Sequence, residues 1–246
     1  MFDSSPYDVV IVGGGVAGRS AGTFTARHGL DTAICNAGSP ILRRNAHIEN
    51  FPGFPAGVNP RLLLDMMAEG ADRAGCERYE AEVTRVETED GGFVVETAAG
   101  DSTRTEYVVA ASKNTVDYLD PIDGVGIVSR GKEFVDVDEG GRTGVDGLYA
   151  AGRIAEKPHQ AVVAAGHGAE VAVSILEDDD RPFYHDWVAP DRYFTGRGRD
   201  LPPGCEEIGE EERRRREEES LETMREHFER RHPDEPEQHP SVTEED

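Results

Sequence analysis

Three glycines near the amino terminus are the clearest candidates for a binding site. Gly13, Gly15 and Gly18 match the pattern G-x-G-x-x-G, directly after a short apolar run and before a helical stretch. In this setting the first glycine permits a tight turn, the second lets the backbone approach a diphosphate, and the third lets helix and strand pack closely. The N–H groups that begin the helix, at Val16 and Ala17, would hold the anion. The pattern predicts a dinucleotide site, but it does not choose between FAD and NAD.

The elements that would position this loop follow the order of a βαβ unit. The apolar run Tyr7–Val12 is typical of a buried parallel strand, and the helical stretch after it extends to Arg27 and stops at Gly29. A second strand is predicted at 31–35, a long loop at 36–60 and a helix at 61–75. Three strand-like runs joined by glycine turns predict an antiparallel meander at 79–87, 93–97 and 105–110.

The remaining elements complete an α/β fold. Strands are predicted at 133–137 and 147–151, and a helix at 160–176. We therefore predict a Rossmann-like FAD/NAD(P)-binding three-layer fold with a parallel central sheet and an antiparallel β-meander. Three sections are expected: a binding domain at 1–180, an aromatic segment packed on it at 181–205, and a charged helix with an acidic tail at 206–246. The tail is expected to be disordered from His232 onwards.

The charge balance of the chain restricts the kinds of partner that it can bind. Asp and Glu number 50 against 26 Lys and Arg, and the formal net charge is −24. Nucleic acid and anionic membrane surfaces would repel such a chain. Only Lys113, Lys132 and Lys157 are lysines, and this composition suits a halophilic protein. The sequence shows neither a secretory signal pattern nor an apolar run long enough to span a membrane. Its three cysteines are widely spaced, so a reduced cytoplasmic protein is predicted.

Several segments together resemble the FAD domain of thioredoxin reductases. The stretch 48–55 reads I-E-N-F-P-G-F-P, and 147–152 reads G-L-Y-A-A-G, followed by a helix that starts at Gln160. With the glycine loop and the meander, these segments cover most of residues 7 to 176. The resemblance implies FAD as the cofactor and a homodimer. It also implies that Asn50 lies beside the flavin and that Gln160, with the amides of Ala161 and Val162, faces the ring.

The sequence departs from that family at several positions. The interval 113–132 replaces a whole NADPH domain, and no C-x-x-C occurs, so thioredoxin reduction by this chain alone is not predicted. Asn36 stands at the ribose position of the second strand, and Ser112 replaces a glycine after the meander. The usual Gly-Asp of the last motif reads Gly152-Arg153. Arg153 could pair with the FAD diphosphate or lie near the flavin N1 edge.

Other candidate residues have ordinary structural explanations. His159 and His167 flank the last helix and could relay protons, although surface or capping roles are the simpler interpretation. Cys35 is expected to be a buried thiol, whereas Cys76 and Cys205 could pair with each other or across a dimer. Arg43 and Arg44 could bind a phosphate or belong to a solvated surface.

Three interpretations of the function follow from these observations. The first is an FAD-binding oxidoreductase whose electron donor and acceptor are separate molecules. The second is a non-catalytic or regulatory dinucleotide-binding protein with a degenerate flavin site, which the changes at Asn36, Ser112 and Arg153 favour. A protein that binds NAD(P) and never flavin is a third interpretation. Tight, stoichiometric flavin colour would separate the first from the third, and turnover would separate the first from the second.

Overall fold

The computed structural model describes residues 2, 6–238 and 242. The chain divides into two compact units, Met1–Ile175 with Glu235–Asp246, and Leu176–Asp234. The first unit contains a seven-stranded sheet. Its strands are β1 (Tyr7–Val12), β2 (Thr32–Asn36), β3 (Glu77–Glu80), β4 (Val83–Glu89), β5 (Gly92–Thr97), β6 (Ser102–Ala110) and β9 (Leu148–Ala150).

The sheet order confirms the predicted Rossmann-like arrangement with a meander. The order is β3-β2-β1-β6-β5-β4, and β3, β2, β1 and β6 run parallel. The long strand β6 pairs with β5 in antiparallel register near its start and with β9 in parallel register near its end. The meander and the parallel sheet therefore share one continuous strand. The carboxyl ends of β1, β2 and β6 meet at one edge, where doubly wound folds bind ligands.

Three helices belong wholly or mainly to this unit. They are α1 (Val16–Arg27), α2 (Pro60–Ala74) and α3 (Ala161–Asp178). The Asn59 side chain caps α2 by accepting from the N–H groups of Arg61 and Leu62, and Gly75 ends it at φ +105°. These local signals explain why the predicted bounds of α2, 61–75, agree with the observed ones to within one residue.

Two details of the first unit differ from the prediction. The run expected as one strand at 79–87 is two strands, because β3 joins the parallel sheet beside β2 while β4 begins the meander. The chain changes direction where the Ala81 N–H donates to the Asn36 carbonyl at 2.9 Å. The interval 113–132 contains an unpredicted strand, β7 (Ile127–Ser129), which pairs antiparallel with β8 (Glu133–Val135).

The second unit contains a short sheet and a charged helix. Strands β10 (Trp187–Pro190) and β11 (Cys205–Ile208) pair in parallel, and α4 spans Glu210–Phe228. The predicted helix from 206 is shorter because its first residues form β11, a strand that the sequence did not reveal. Trp187, Tyr193 and Phe194 make edge contacts with one another, with ring centroids 5.0 to 5.3 Å apart. The expected packing of 181–205 on the core stays a prediction, and residues 239–241 and 243–246 of the tail lie outside the described residues.

Candidate functional site

The glycine loop connects β1 to α1, and its three motif glycines have different roles. Gly13 has φ +128°, and a Cβ built on it would lie 2.3 Å from the Ala111 carbonyl oxygen. A Cβ on Gly18 would lie 1.9 Å from the Gly13 oxygen, so these two positions must be glycine for packing reasons. A Cβ on Gly15 meets no atom within 4 Å. Gly15 therefore leaves open the space at the start of α1.

Asn36 ends β2 beside the glycine loop. Its Oδ1 accepts the Gly14 N–H at 3.2 Å, and its Nδ2 donates to the Gly38 carbonyl at 2.8 Å and to a Glu80 carboxylate oxygen at 3.2 Å. The side chain thus ties the glycine loop to the turn after β2. An amide can make these contacts because it both donates and accepts, which a carboxylate cannot.

A buried arginine holds the segment between β2 and α2. Arg61 is 2% exposed, and its Nη1 donates to the carbonyls of Arg43 at 2.9 Å and Asn45 at 2.8 Å. Because a guanidinium presents several donors in one plane, a single side chain fixes a loop of several residues. The prediction missed this residue, since nothing in the sequence separates it from the surface arginines.

The 48–55 segment and the start of α3 meet through two side chains. An isolated bridge between Ile48 and Val58 closes the loop. The Asn50 Nδ2 then donates to the Gln160 Oε1 at 2.8 Å. These residues are 110 positions apart in the chain, and the resemblance alone had placed both beside the flavin.

The Gly152-Arg153 turn packs against the first turn of α1. Gly152 has φ +76°, and a Cβ there would lie 2.8 Å from the Ala17 Cβ. Its N–H donates to the His167 Nδ1 at 2.9 Å, while the Arg153 Nε donates to the Asn114 Oδ1 at 3.0 Å. The turn is thus held from both sides by side chains of α3 and of the 113–132 interval.

These segments enclose one cavity of about 820 Å³. Most of the predicted site residues line it: Gly13, Gly15, Val16, Ala17, Asn36, Asn50, Arg153, Gln160 and Ala161. Gly18, Gly152 and Val162 do not, and the first two act instead through backbone packing. The lining also includes Tyr118, from the short helical turn Asp117–Leu119, and residues 81–83, where β3 gives way to β4. The prediction missed them because no local pattern shows that these segments reach this edge of the sheet.

Neither of two buried groups at the cavity wall is reactive in the ordinary pH range. Burial raises the pKa of the Cys35 thiol to about 12, so it remains protonated and a poor nucleophile. Burial also raises the pKa of Tyr118, whose hydroxyl lies 2.8 Å from the Ser112 Oγ. Cys76 is likewise buried with its pKa raised to about 12, and Cys35, Cys76 and Cys205 are all free cysteines.

His167 is a buried neutral histidine at the back of the site. It is 3% exposed, its Nδ1 accepts from Gly152, and its Nε2 has no hydrogen-bond partner in the described part of the chain. Burial, with the Lys157 ammonium as a smaller cause, lowers the pKa of His167 to about 4. A neutral ring is required, because protonation would remove the acceptor for the Gly152 N–H. The residue therefore holds the turn rather than relaying protons.

We expect this histidine to make the apoprotein sensitive to acid. Its folded pKa lies below the unfolded value, so the folded state binds fewer protons, and stability present above pH 6.5 is lost as the pH falls towards 4. The loss is on the order of 3 kcal/mol over that window. In urea titrations, a His167→Gln variant should lose this component and show a shallower pH dependence, whereas His47→Gln, at an exposed site, should keep it. An unchanged slope in His167→Gln would contradict the assignment.

Across the described residues, no group of His, Cys, Asp and Glu is arranged to hold a metal ion. Within the same residues, no helix has the length and apolar character needed to cross a membrane.

Comparisons with known proteins agree with this geometry. Residues 8–47 match the family model described as FAD binding domain. The thioredoxin reductase of Listeria monocytogenes is 36% identical over 108 residues, which are 43% of this chain and 33% of that protein. The dihydrolipoyl dehydrogenase of Haloferax volcanii is 28% identical over 177 residues, covering 69% of this chain and 34% of that protein. The chain thus spans about a third of the length of these relatives.

Solved structures show the same fold. The thioredoxin reductase of Streptococcus pyogenes superposes with a TM-score of 0.64 at 15% identity, covering 71% of this chain and 98% of that one. The enzyme from Gloeobacter violaceus gives 0.61 at 18% identity, covering 72% and 96%. The predicted resemblance to thioredoxin reductases is confirmed, and the family match indicates FAD as the cofactor.

Proposed function

We propose that this chain, whose flavin domain is of the thioredoxin-reductase-like type, is an FAD-dependent oxidoreductase that exchanges electrons with a separate donor and acceptor. The observation that supports this most directly is the convergence of four distant segments on one cavity: the glycine loop, the end of β2, the 48–55 loop and the start of α3. A glycine-rich turn without a ligand would not require the other three.

The residues of the cavity fit this cofactor. The start of α1 has no side-chain cap, and the space beside Gly15 is open. Together they form an anion cradle, which any side chain at position 15 would fill. Val16 and Ala17 would offer backbone N–H groups to the diphosphate, Asn36 would meet the ribose, and the Asn50–Gln160 pair would face the ring. Bound FAD supplies hydride and electron transfer, and the protein supplies position and electrostatics.

The cysteines favour a separate electron acceptor over an internal dithiol. No C-x-x-C is present in the sequence, and the thiols of Cys35 and Cys76 are buried with raised pKa values. The interval 113–132 is too short for a nucleotide domain, even together with β8, which pairs with its strand β7. Electrons would therefore enter and leave through the mouth of the cavity.

The first experiment is a visible absorption spectrum of the protein purified in molar salt, with mass identification of any molecule released on denaturation. Flavin bands at about one FAD per chain are expected. A colourless protein that also fails to take up added FAD would overturn the proposal. Reduction of the bound flavin with repeated turnover then separates an enzyme from the rival interpretation.

That rival is a regulatory dinucleotide-binding protein, and it rests on the altered positions. The Ser112 hydroxyl donates to the Thr115 carbonyl at 2.7 Å and contacts Tyr118, and Arg153 occupies the place of an acceptor. This interpretation would be favoured if the protein binds FAD stoichiometrically but shows no turnover with any donor and acceptor pair that is added.

We expect Arg153 to act on the cofactor diphosphate rather than on the flavin potential. The residue follows Gly152, whose backbone packs on Ala17 in the first turn of α1, and an ionised donor there would contribute about tenfold in affinity. Arg153→Ala should raise the FAD dissociation constant about tenfold and leave the midpoint potential unchanged. Fluorescence titration and potentiometry measure the two quantities. Arg130→Ala, which removes an exposed arginine paired with Glu156 at 3.2 Å, is the control.

The opposite result for Arg153→Ala would place the Arg153 guanidinium beside the flavin ring. A shifted potential with unchanged FAD affinity in Arg153→Ala would contradict the diphosphate role and support the flavin N1 edge. The homodimer that the resemblance implies is a separate proposal, and analytical ultracentrifugation of the FAD-loaded protein would test it.

A further inference from the structure

The end of the described chain makes a specific contact beside the cavity. The chain leaves the unit that contains the cavity at Leu176 and returns to it at Glu235. In the returning segment, one carboxylate oxygen of Glu237 accepts a hydrogen bond from the Ser39 Oγ. The same oxygen lies 3.7 Å from the Arg43 Nε. Ser39 and Glu237 are 198 positions apart, so no local pattern of the sequence predicts this contact.

The loop that Glu237 contacts forms part of the cavity wall. We call residues 39–43 the wall loop, and all of it except Arg43 lines the cavity. The backbone of the loop is held at its end, where the Arg43 carbonyl accepts from the buried Arg61 guanidinium at 2.9 Å. Glu237 connects the two ends of the wall loop through their side chains, because Ser39 is its first residue and Arg43 its last.

The charge of the chain makes this contact a selective one. The net charge is −24 and the returning segment is itself acidic, so general repulsion favours a solvated segment. The side chains of Arg43 and Glu237 are 25% and 41% exposed, and an ion pair this exposed contributes little by itself. The Ser39 hydroxyl adds a hydrogen bond to the charged oxygen. Pro233 and Pro236 restrict the backbone before Glu237, which lowers the entropy lost when the segment docks.

We propose that residues 235–238 form a strap that fixes the wall loop and slows the exchange of the cofactor. A ligand enters or leaves an enclosed site when part of its wall moves. Because one Glu237 oxygen contacts both Ser39 and Arg43, the wall loop moves freely only after both contacts break. The strap lies outside residues 7 to 176, the part of the chain that resembles thioredoxin reductases. This inference rests on the proposed flavin site, since cofactor exchange is the step that the strap controls.

The first test measures the rate of FAD release from the full chain, by the rise of free-FAD fluorescence after dilution at one fixed salt concentration. Glu237→Ala removes both strap contacts and should raise the release rate constant about threefold to tenfold. The matched control is Glu235→Ala, the same change two positions earlier, at an exposed residue with no ion pair in the described part of the chain. It should release FAD as the wild type does. Equal rates for Glu237→Ala and the wild type would overturn the inference.

A double variant shows whether the effect passes through this contact. Ser39 lines the cavity, so Ser39→Ala also changes a surface that faces the cofactor. If the strap contact is the cause, the double variant Ser39→Ala, Glu237→Ala should release FAD no faster than Glu237→Ala does. Fully additive increases in the rate would overturn the inference, because the two side chains would then act independently.

Hydrogen exchange in the apoprotein tests the strap without the cofactor. The backbone N–H groups of Arg43 and Asn45 are hydrogen-bonded within their loop, and they should exchange about threefold faster or more in Glu237→Ala than in the wild type or Glu235→Ala. Equal exchange in all three proteins would overturn the strap. A protein that never takes up FAD would overturn the proposed function by its spectrum, and the exchange measurement would still decide whether the strap fixes the wall loop.

Discussion

The Gly15→Asp variant is expected to lose FAD while its apoprotein remains at least as stable as the wild type. Gly15 is the N-cap of α1 with φ −78° and ψ −172°, a conformation that aspartate adopts readily. An aspartate there would cap the helix and interact favourably with its dipole, contributing about 1 kcal/mol to folding. The same carboxylate would occupy the cradle and repel a diphosphate, so FAD affinity should fall by about 100-fold or more.

The matched control for this experiment is Gly15→Asn. It has nearly the same size and is an equally good cap, but it carries no charge. It should weaken FAD binding less than Gly15→Asp does, and the difference measures the electrostatic part of recognition. FAD titration by fluorescence quenching and urea unfolding of the apoprotein give the two readouts. Unchanged FAD affinity in Gly15→Asp would show that the diphosphate does not lie at this loop.

The Gly168→Ala variant is expected to destabilise the fold strongly. A Cβ at Gly168 would lie 2.1 Å from the Ala17 carbonyl oxygen and 2.8 Å from its carbonyl carbon, so α3 and α1 touch backbone to backbone. Because those backbone atoms cannot rotate away, the helices must separate, at a cost of about 3 kcal/mol or more. FAD binding should weaken as well, since Ala17 belongs to the first turn of α1.

Gly166, two residues earlier on the same helix, provides the comparison. No atom lies within 4 Å of a Cβ built there. Gly166→Ala should therefore stabilise the protein by roughly 0.5 to 1 kcal/mol through helix propensity alone. Urea unfolding with an unchanged m-value measures both variants. Similar free energies of unfolding for the two would mean that α1 and α3 do not make this close contact.

The glycine pattern, the apolar strand Tyr7–Val12 and the turn glycines determined the fold class from sequence. These features are local: strand, loop and helix bounds follow from residue types within a few positions, which is why α2 and the meander turns were predicted closely. The resemblance through 48–55 and 147–152 added the cofactor, and the family match at 8–47 supports it. Halophilic adaptation and a cytoplasmic location stay predictions from composition.

Only the tertiary structure decided which residues meet. The Asn50–Gln160 hydrogen bond and the Asn114 link between Arg153 and the Glu133 carbonyl join positions far apart in the chain, and no local pattern encodes such pairs. The different surroundings of Gly166 and Gly168 are another example. In the sequence both are small residues of the same predicted helix, and only the structure shows that α1 packs against Gly168 and not against Gly166. Local chemistry sets the elements, and the close packing of distant segments sets the site.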